Sequence, residues 1–285
     1  IIYGNNVLES EEHVNKLGIK HGFIKIHPFN DYDIIYGQGT LMIEMLQKYP
    51  YLDKVYIPVG GGGLIAGCSI IAKYLNKNIN IIGVETENFP SLYNSFYKKN
   101  KPFFRSTIAE GVAVNRIGKK NLAIIKKYVD KTILVKESTI EKAISHFLIN
   151  DKTLVEGAGA LGLAAILESN NRKKDEKIGI LACGGNLDSR VLSSLLMRDL
   201  VRKKQILTLS IDMEDKPGQL SEISVLCAKE KINILAVEHS RFTLDLSIRA
   251  ARLNITLETQ NKEHANKIIR LIESLGFKVQ EKINN

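Results

Sequence analysis

Four consecutive glycines, Gly60, Gly61, Gly62 and Gly63, constrain this chain more than any other feature of its sequence. They follow an apolar, strand-like run at residues 54–59 and lead into a helix-like run, "LIAGCSIIAKYL". Consecutive glycines permit a sharp turn that lets several backbone N–H groups converge, and a following helix adds the positive end of its dipole. The stretch, called the glycine loop (residues 60–63) below, therefore predicts a phosphate-binding turn between a strand and a helix.

Two other interpretations of the glycine loop stay open at this point. A tight turn with close helix–strand packing is one, although two glycines would suffice for it. The second is a dinucleotide fingerprint, because Gly61, Gly63 and Ala66 match G-x-G-x-x-A with Glu85 about 20 residues on, a weak signal alone. A Walker motif is excluded because no G-K-[ST] ending is present.

Strands and helices alternate along the first two thirds of the sequence, which predicts an α/β domain with an open, mostly parallel sheet. The residues before the glycine loop are predicted to form two further strands and a loop at "YGQGT", with Thr40 capping the next helix. Beyond the linker "VRKKQ", a βαββαβ order predicts a ferredoxin-like domain. The predicted strands are residues 1–4, 22–29, 54–59, 80–85, 131–136 and 177–185 in the first domain, and 205–213, 233–242, 251–260 and 277–283 in the second.

The composition of the chain limits the kinds of partner that it can bind and the cell compartment that it suits. The net charge is +9, but the lysines are scattered and often stand beside acids, which favours a solvated surface over a nucleic-acid site. No apolar run reaches the roughly 18 residues of a membrane span. Cys68, Cys183 and Cys227 are far apart without metal-ligand spacing, which argues against a disulfide framework and for a reducing, cytoplasmic compartment. We therefore predict neither a nucleic-acid nor a membrane partner.

Two more stretches carry chemistry. In "ILACGGNLDSR" a strand ends at Cys183, and Gly184 and Gly185 open a loop at the sheet edge where open α/β folds bind ligands. In "LVEGAGALGLAA", Glu156 precedes a helix of small residues that can lie close to a flat ligand. The alternative role for Glu156 is interaction with the positive end of that helix.

These stretches, in this order, resemble the threonine dehydratases (threonine ammonia-lyases) of the fold-type II pyridoxal-phosphate enzymes, of the catabolic type with a C-terminal ACT domain. The resemblance covers essentially the whole chain. It is carried by "HPFND" with "GQGT", "PVGGGGLIAG", "GVE", "IAEGVAV", "VEGAGAL", "CGGN" and the tail "EDKPGQL…VEHSRF".

The resemblance implies the cofactor pyridoxal 5'-phosphate and the conversion of L-threonine, or of L-serine, into a 2-keto acid and ammonia. For threonine the keto acid is 2-ketobutyrate. It implies that the glycine loop holds the phosphate and that Cys183 bonds to the pyridine nitrogen. A neutral thiol there leaves the ring a poorer electron sink than a carboxylate would, which suits loss of a β-hydroxyl. The implied cofactor residues are Gly60, Gly61, Gly62, Gly63, Leu64, Cys183, Gly184 and Glu156, and the implied substrate-side segment (residues 109–111) is Ala109, Glu110 and Gly111.

The same resemblance divides the chain into a partial catalytic domain, residues 1–202, and an ACT domain, residues 203–285. Residues 1–30 would end the small subdomain and residues 31–202 form the large one. An ACT domain implies an amino-acid effector and a homo-oligomer. The implied effector loop is Asp215, Lys216, Pro217, Gly218, Gln219 and Leu220, where Gly218 permits close approach at a helix N-terminus; a plain Pro-Gly helix entry is the alternative.

The sequence also departs from the family pattern. The Ser-Phe-Lys-x-Arg-Gly stretch with the Schiff-base lysine and the Ser-x-Gly-Asn-His stretch for the substrate carboxylate are both missing from residues 1–285. We expect the chain to be the C-terminal part of a dehydratase, either a fragment or the product of a truncated gene, and to be inactive alone. A non-catalytic amino-acid-binding or dimerising ACT module is the alternative function. Glu85 matches a position where some relatives bind a cation, but a helix-cap or surface role is favoured.

Overall fold

The computed structural model of the chain describes residues 1–4, 7–104, 106–169, 173–241 and 245–282. The chain forms two compact units, Ile1–Leu187 and Asp188–Asn285. Across the described part, no helix has both the length and the apolar character needed to cross a membrane. The predicted domain boundary after residue 202 stays a prediction.

A parallel sheet lies at the centre of the first unit and confirms the predicted α/β class. Its strands are β1 (Lys54–Pro58), β2 (Asn80–Thr86), β3 (Lys131–Val135) and β4 (Ile178–Ile180), in the order β3-β2-β1-β4, and every neighbouring pair is parallel. β1 and β2 are buried along nearly their whole length, as expected for parallel strands covered on both faces. Because β1 and β2 are parallel, their carboxyl ends meet at one edge of the sheet, where the glycine loop begins.

Seven helices of the first unit fall within the described residues, and two of them pack through glycines. A Cβ on Gly67 would lie 2.0 Å from the carbonyl oxygen of Ile35, so only glycine allows this approach of the two helices. One short helix, Ser91–Tyr97, has no counterpart among the sequence predictions. The helices are α1 (Val7–His21), α2 (Tyr32–Lys48), α3 (Gly63–Leu75), α4 (Ser91–Tyr97), α5 (Lys119–Tyr128), α6 (Glu137–Asn150) and α7 (Gly157–Glu168).

The predicted loop at "YGQGT" and the predicted cap at Thr40 are wrong. α2 already begins after Asp31, whose side chain accepts a hydrogen bond from the N–H of Asp33 at 2.9 Å. Thr40 lies inside this helix, where its hydroxyl donates to the carbonyl of Gly37. Glycine is usually a loop signal, but a Cβ at Gly39 would lie 3.0 Å from the carbonyl oxygen of Gly67, so close helix packing explains its presence.

The two strands predicted before the glycine loop, residues 1–4 and 22–29, are also wrong. Neither segment joins a sheet in the described part of the chain. Ile2 is fully exposed and Ile24 is 92% exposed. An apolar run has strand character only where a neighbouring strand accepts its backbone hydrogen bonds, and these segments have no such neighbour here.

The second unit carries an antiparallel sheet in the order β6-β7-β5-β8, which confirms the predicted ferredoxin-like βαββαβ arrangement. Alternate residues of β7 are buried, so one face of the sheet packs on the helices. The predicted strand over residues 233–242 ends at Ser240, and Phe242 and Ile283 of the predicted strands lie outside the described residues. The elements are α8 (Ser189–Arg202), β5 (Ile206–Glu214), α9 (Gln219–Lys229), β6 (Asn233–Ser240), β7 (Ala250–Glu258), α10 (Lys262–Ser274) and β8 (Lys278–Glu281).

Candidate functional site

The glycine loop connects β1 to α3 and leaves a group of unused hydrogen-bond donors. Gly62 adopts a left-handed conformation, φ 89°, immediately before the first residue of α3. Gly61, Gly62 and Gly63 are buried, yet their N–H groups donate to no acceptor in the described part of the chain. Buried N–H groups without an acceptor are rare, and a helix N-terminus attracts anions. The loop therefore fits an anionic ligand that supplies the missing acceptors.

The absence of side chains in this loop has a second cause, which is packing. A Cβ at Gly61 would lie 2.3 Å from the ring of Phe29, and one at Gly60 would lie 3.1 Å from the carbonyl oxygen of Gly111. Gly63 is similarly close to the backbone of Phe29. Close packing was one of the alternatives left open by the sequence. It is compatible with anion binding, because the packing contacts involve the Cβ positions and not the N–H groups.

The side chain of Asn121 fixes the glycine loop through hydrogen bonds, a role that the sequence did not predict. Its buried side-chain amide donates to the carbonyl of Gly61 at 2.8 Å and to the carbonyl of Phe29 at 2.9 Å. The N–H of Gly118 donates to the same Gly61 oxygen at 3.1 Å. A lone Asn in the first turn of a helix gives no sequence signal for such a role.

The "HPFND" stretch forms the turn that places Phe29 on the glycine loop. The Nδ1 atom of His27 accepts hydrogen bonds from the N–H of Phe29 at 3.2 Å and of Asn30 at 3.0 Å. The side-chain oxygen of Asn30 in turn accepts from the N–H of Lys120 at 3.0 Å. The local role of this motif is to orient Phe29, whereas its residues 27–29 were predicted as the end of a strand.

Glu156 joins the two other predicted stretches. It precedes the first residue of α7 but makes no side-chain hydrogen bond to that helix end. Its carboxylate instead lies over Gly184, where a Cβ would meet Oε1 at 2.1 Å, and beside Gly111, where a Cβ would lie 3.5 Å away. Its N–H donates to the carbonyl of Gly184 at 3.1 Å. Residues far apart in sequence are thus brought around one carboxylate.

The prediction that a strand ends at Cys183 is wrong, because β4 ends at Ile180. Cys183 is half-buried in the loop that follows, close to α7, and its thiol is free. A Cβ at Gly159 would lie 1.9 Å from the carbonyl oxygen of Cys183, so the helix and this loop are in direct contact. Burial, and secondarily the negative charge of Glu156, raise the pKa of the Cys183 thiol. The thiol is therefore neutral at physiological pH.

The substrate-side segment begins with a buried residue, Ala109, followed by exposed Glu110 and Gly111. It forms a short 3-10 turn, Glu110–Val112, and the N–H of Ala109 donates to the hydroxyl of Thr107 at 3.1 Å. Through Gly111 it touches both the glycine loop and Glu156. The structure thus places this segment next to the predicted cofactor residues, although their binding roles stay predictions.

Glu85 is a helix cap, as favoured, and not a surface residue. It is completely buried, and its carboxylate accepts hydrogen bonds from the N–H groups of Leu92 at 2.6 Å and Tyr93 at 2.7 Å at the start of α4. Burial raises its pKa to about 8 in spite of these bonds. The dinucleotide alternative needs this carboxylate for a ribose, and its use inside the protein speaks against that interpretation. Among the described residues, no three His, Cys, Asp or Glu side chains are grouped to hold a metal ion.

The predicted effector loop borders a cavity of about 870 Å³ in the second unit. Gly218 has φ 97° before α9, and Asp215 pairs with Arg241 at 3.0 Å. The side-chain oxygen of Gln219 is buried with no hydrogen-bond partner among the described residues. Charged residues of both signs line the cavity, including Asp212, Glu214, Asp215, Lys216, Arg249 and Lys278.

Two family models match the sequence. Residues 1–184 match the family described as "Pyridoxal-phosphate dependent enzyme", and residues 207–277 match the ACT domain. The two matches fall within the two compact units of the structure, one in each.

Individual relatives agree with both matches. The chain is 35% identical over 286 residues to the L-threonine ammonia-lyase of Thermotoga maritima, covering 98% of this chain and 70% of that protein. It is 38% identical over 205 residues to the catabolic L-threonine dehydratase TdcB of Staphylococcus aureus, covering 70% of this chain and 59% of the relative. Among solved structures, the processed form of threonine deaminase isoform 2 from Solanum lycopersicum superposes with a TM-score of 0.63 at 31% identity, covering 69% of this chain and 55% of that one.

Proposed function

The chain belongs to the family of pyridoxal-phosphate dependent enzymes, and from that premise we propose that it serves the deamination of L-threonine to 2-ketobutyrate and ammonia. L-Serine is the second candidate substrate. The proposal is supported by relatives that are named threonine ammonia-lyase and threonine dehydratase. The chain spans 70% or less of the length of these relatives, so the activity of a whole enzyme is itself part of the proposal.

One observation carries the proposal: the buried N–H groups of Gly61, Gly62 and Gly63 have no acceptor in the described part of the chain. Together with the N-terminus of α3 they fit a phosphate group. Pyridoxal phosphate, when bound, supplies an electron sink that makes the α-proton of an amino acid acidic. In this proposal the glycine loop and Leu64 hold the phosphate, and Phe29 and Asn121 fix the position of the loop.

Cys183 and Glu156 would lie at the ring. A protonated thiol offers the pyridine nitrogen a neutral partner, and a neutral partner leaves that nitrogen without a full positive charge. A ring without that charge is a poorer electron sink, which favours prompt loss of the β-hydroxyl. The carboxylate of Glu156 helps to keep the thiol protonated, since its charge raises the pKa of Cys183. Gly184 suits the position beside it because its φ of 79° is left-handed and favours glycine, and a Cβ there would push the Glu156 carboxylate aside.

Cofactor binding is tested by amide NMR of residues 1–285. Pyridoxal phosphate should shift the N–H signals of Gly61, Gly62 and Gly63, while pyridoxal, which lacks the phosphate, should shift them little. Phosphate recognition predicts this difference because the donors are backbone N–H groups at a helix N-terminus. Equal shifts with both compounds, or none with either, would remove the observation that carries the proposal.

The reaction needs a group that moves the α-proton, and residues 1–285 contain no Ser-Phe-Lys stretch. We therefore expect no ammonia or 2-ketobutyrate from threonine with residues 1–285 and pyridoxal phosphate. A chimera that adds the unmatched portion of the Thermotoga relative should turn over threonine, and the same chimera with Gly61→Val should not. A chimera that binds the cofactor but leaves threonine intact, while the Thermotoga enzyme converts it, contradicts the proposed reaction.

Amino-acid binding in the second unit is the second candidate function. The mixed charge of the 870 Å³ cavity suits a zwitterion, and the unpartnered oxygen of Gln219 suits an ammonium or N–H donor. Calorimetric titration of residues 1–285 with isoleucine, valine and threonine should give heat for at least one, and Gln219→Ala should weaken it. Silence for all three favours a purely dimerising role, which sedimentation of the same samples reports directly.

A further inference from the structure

We propose that Glu137 is a positioning residue that holds the substrate-side segment in place beside the glycine loop. Glu137 is the first residue of α6 and follows β3 at the carboxyl edge of the parallel sheet. No sequence motif pointed to it. Its meaning for catalysis rests on the proposed function, but its hold on the segment does not.

The carboxylate of Glu137 receives hydrogen bonds from three groups on two other parts of the chain. Oε1 accepts from the hydroxyl of Thr86, at the end of β2, and from the hydroxyl of Thr107 at 2.6 Å. Oε2 accepts from the N–H of Ile108 at 2.9 Å. Hydrogen bonds to a charged acceptor are stronger than neutral ones. The bond from Thr86 ties the half-buried carboxylate to β2, and the other two define the position of residues 107 and 108.

A further hydrogen bond connects the residues held by Glu137 to the substrate-side segment. The hydroxyl of Thr107, which donates to Glu137, also accepts from the N–H of Ala109 at 3.1 Å. The carbonyl oxygen of Ile108 lies so close to α7 that a Cβ on Gly157 would be 2.3 Å from it. Further along, the carbonyl oxygen of Gly111 lies next to Gly60. A shift at Ile108 would therefore move the segment relative to both the glycine loop and α7.

The chemistry of the acceptor is specific enough to test by substitution. A Gln side chain has the same length and can accept from the Ile108 N–H, while the threonine hydroxyls can rotate to accept from its amide. Glu137→Gln should therefore preserve the hold, and Glu137→Ala should lose it. Exposed Glu44 on α2 provides the matched control for removal of a helical glutamate, as Glu44→Ala.

The experiment is amide hydrogen exchange of residues 1–285 followed by mass spectrometry, without added cofactor. In Glu137→Ala, peptides that cover residues 108–111 should exchange at least about tenfold faster than in the wild type, since a local opening eased by about 1.4 kcal/mol changes exchange tenfold. Peptides from β1 should be unchanged, which separates a local effect from general destabilisation. Glu137→Gln and Glu44→Ala should stay within about twofold of the wild type. If Glu137→Ala does not fold, Thr107→Val should give the same pattern at smaller size.

Exchange over residues 108–111 that stays within twofold of the wild type in Glu137→Ala overturns the proposal. So does an equal increase in β1, because it would show a general structural role, and so does a full loss in Glu137→Gln. Titration with pyridoxal phosphate is run on the same samples and should show several-fold weaker binding to Glu137→Ala. If the wild type binds no pyridoxal phosphate at all, the proposed function fails while the exchange result still decides the role of Glu137.

Discussion

Gly159→Ala is the substitution that most directly tests how the site is built. Gly159 lies inside α7, and a Cβ there would be 1.9 Å from the carbonyl oxygen of Cys183 and 2.7 Å from a methyl group of Val155. Real Cβ contacts stay above about 3.0 Å, so the helix and the Cys183 loop must separate by roughly 1 Å. The atom in the way is a backbone carbonyl, which has no rotamer to change.

The expected change in the free energy of unfolding follows from two opposing effects. Glycine to alanine inside a helix stabilises by about 1 kcal/mol through propensity alone. Overpacking of a buried contact costs about 1–3 kcal/mol, and a backbone obstacle places this site at the upper end. The net expectation is a loss of about 2 kcal/mol, with a displaced Cys183 as its structural consequence.

Urea unfolding of the first unit, followed by far-ultraviolet circular dichroism, measures this change. Gly37→Ala is the matched control, since Gly37 lies in α2, is exposed and has no atom within 4 Å of its Cβ position. This control should be more stable than the wild type by up to about 1 kcal/mol. A Gly159→Ala protein that is as stable as the wild type or more stable would refute the close contact between α7 and the Cys183 loop.

The site and its surroundings give three more predictions. Iodoacetamide should label Cys183 slowly at pH 7–8, because burial and the charge of Glu156 raise the pKa of its thiol, and Glu156→Gln should speed labelling at a fixed pH; equal rates by peptide mapping would contradict this. Burial raises the pKa of Glu85 from 4.5 to about 8, so the folded state keeps a proton that the unfolded state releases between these values. The stability of the first unit should therefore fall as pH rises through this window, and Glu85→Gln should flatten the fall; parallel slopes in urea midpoints would speak against it. Asp31→Ala should lower stability by about 1 kcal/mol through loss of the α2 cap, whereas Thr40→Ala should change it by less than about 0.5 kcal/mol; the reverse order in thermal melts would restore the predicted cap at Thr40.

The parts of the fold that could be predicted from sequence are those with local signals. The apolar runs of β1 and β2 have the length and composition of buried parallel strands, and the glycine loop marks the turn after β1. The second unit follows the expected βαββαβ order, and its central strands β5 and β7 carry the alternation of buried and less buried residues that such a sheet requires.

The errors arose where one local signal serves two purposes. Gly37 and Gly39 predicted a loop, but Gly39 provides the contact between α2 and α3, which depends on Gly67, almost 30 residues away. The apolar residues around Phe23 and Ile24 have strand composition, yet pairing depends on a neighbouring strand and not on composition.

For the candidate site, too, the sequence could predict single stretches but not the contacts between them. The sequence identified the glycine loop, Cys183 and Glu156 as separate stretches, because each carries its own pattern of small residues. It contained no indication that Glu156 lies over Gly184, or that Glu137 reaches Ile108, since such pairs are set by how α6 and α7 return to one sheet edge. A side chain that bonds to a backbone group far away in the chain produces no periodic pattern in the sequence.

The glycine loop illustrates why its pattern was ambiguous. Cβ atoms at Gly61 and Gly63 would meet Phe29, and one at Gly60 would meet Gly111. One at Gly62 would lie 3.1–3.2 Å from side-chain atoms of Ile117, Asn121 and Ile125, so packing alone would select glycine at these positions. Packing does not explain why the buried N–H groups of Gly61, Gly62 and Gly63 lack acceptors in the described residues, because a loop selected only for packing would gain stability by satisfying them. The unused donors are therefore the feature that separates a binding loop from a tight turn, and they are visible only once the positions of the surrounding acceptors are known.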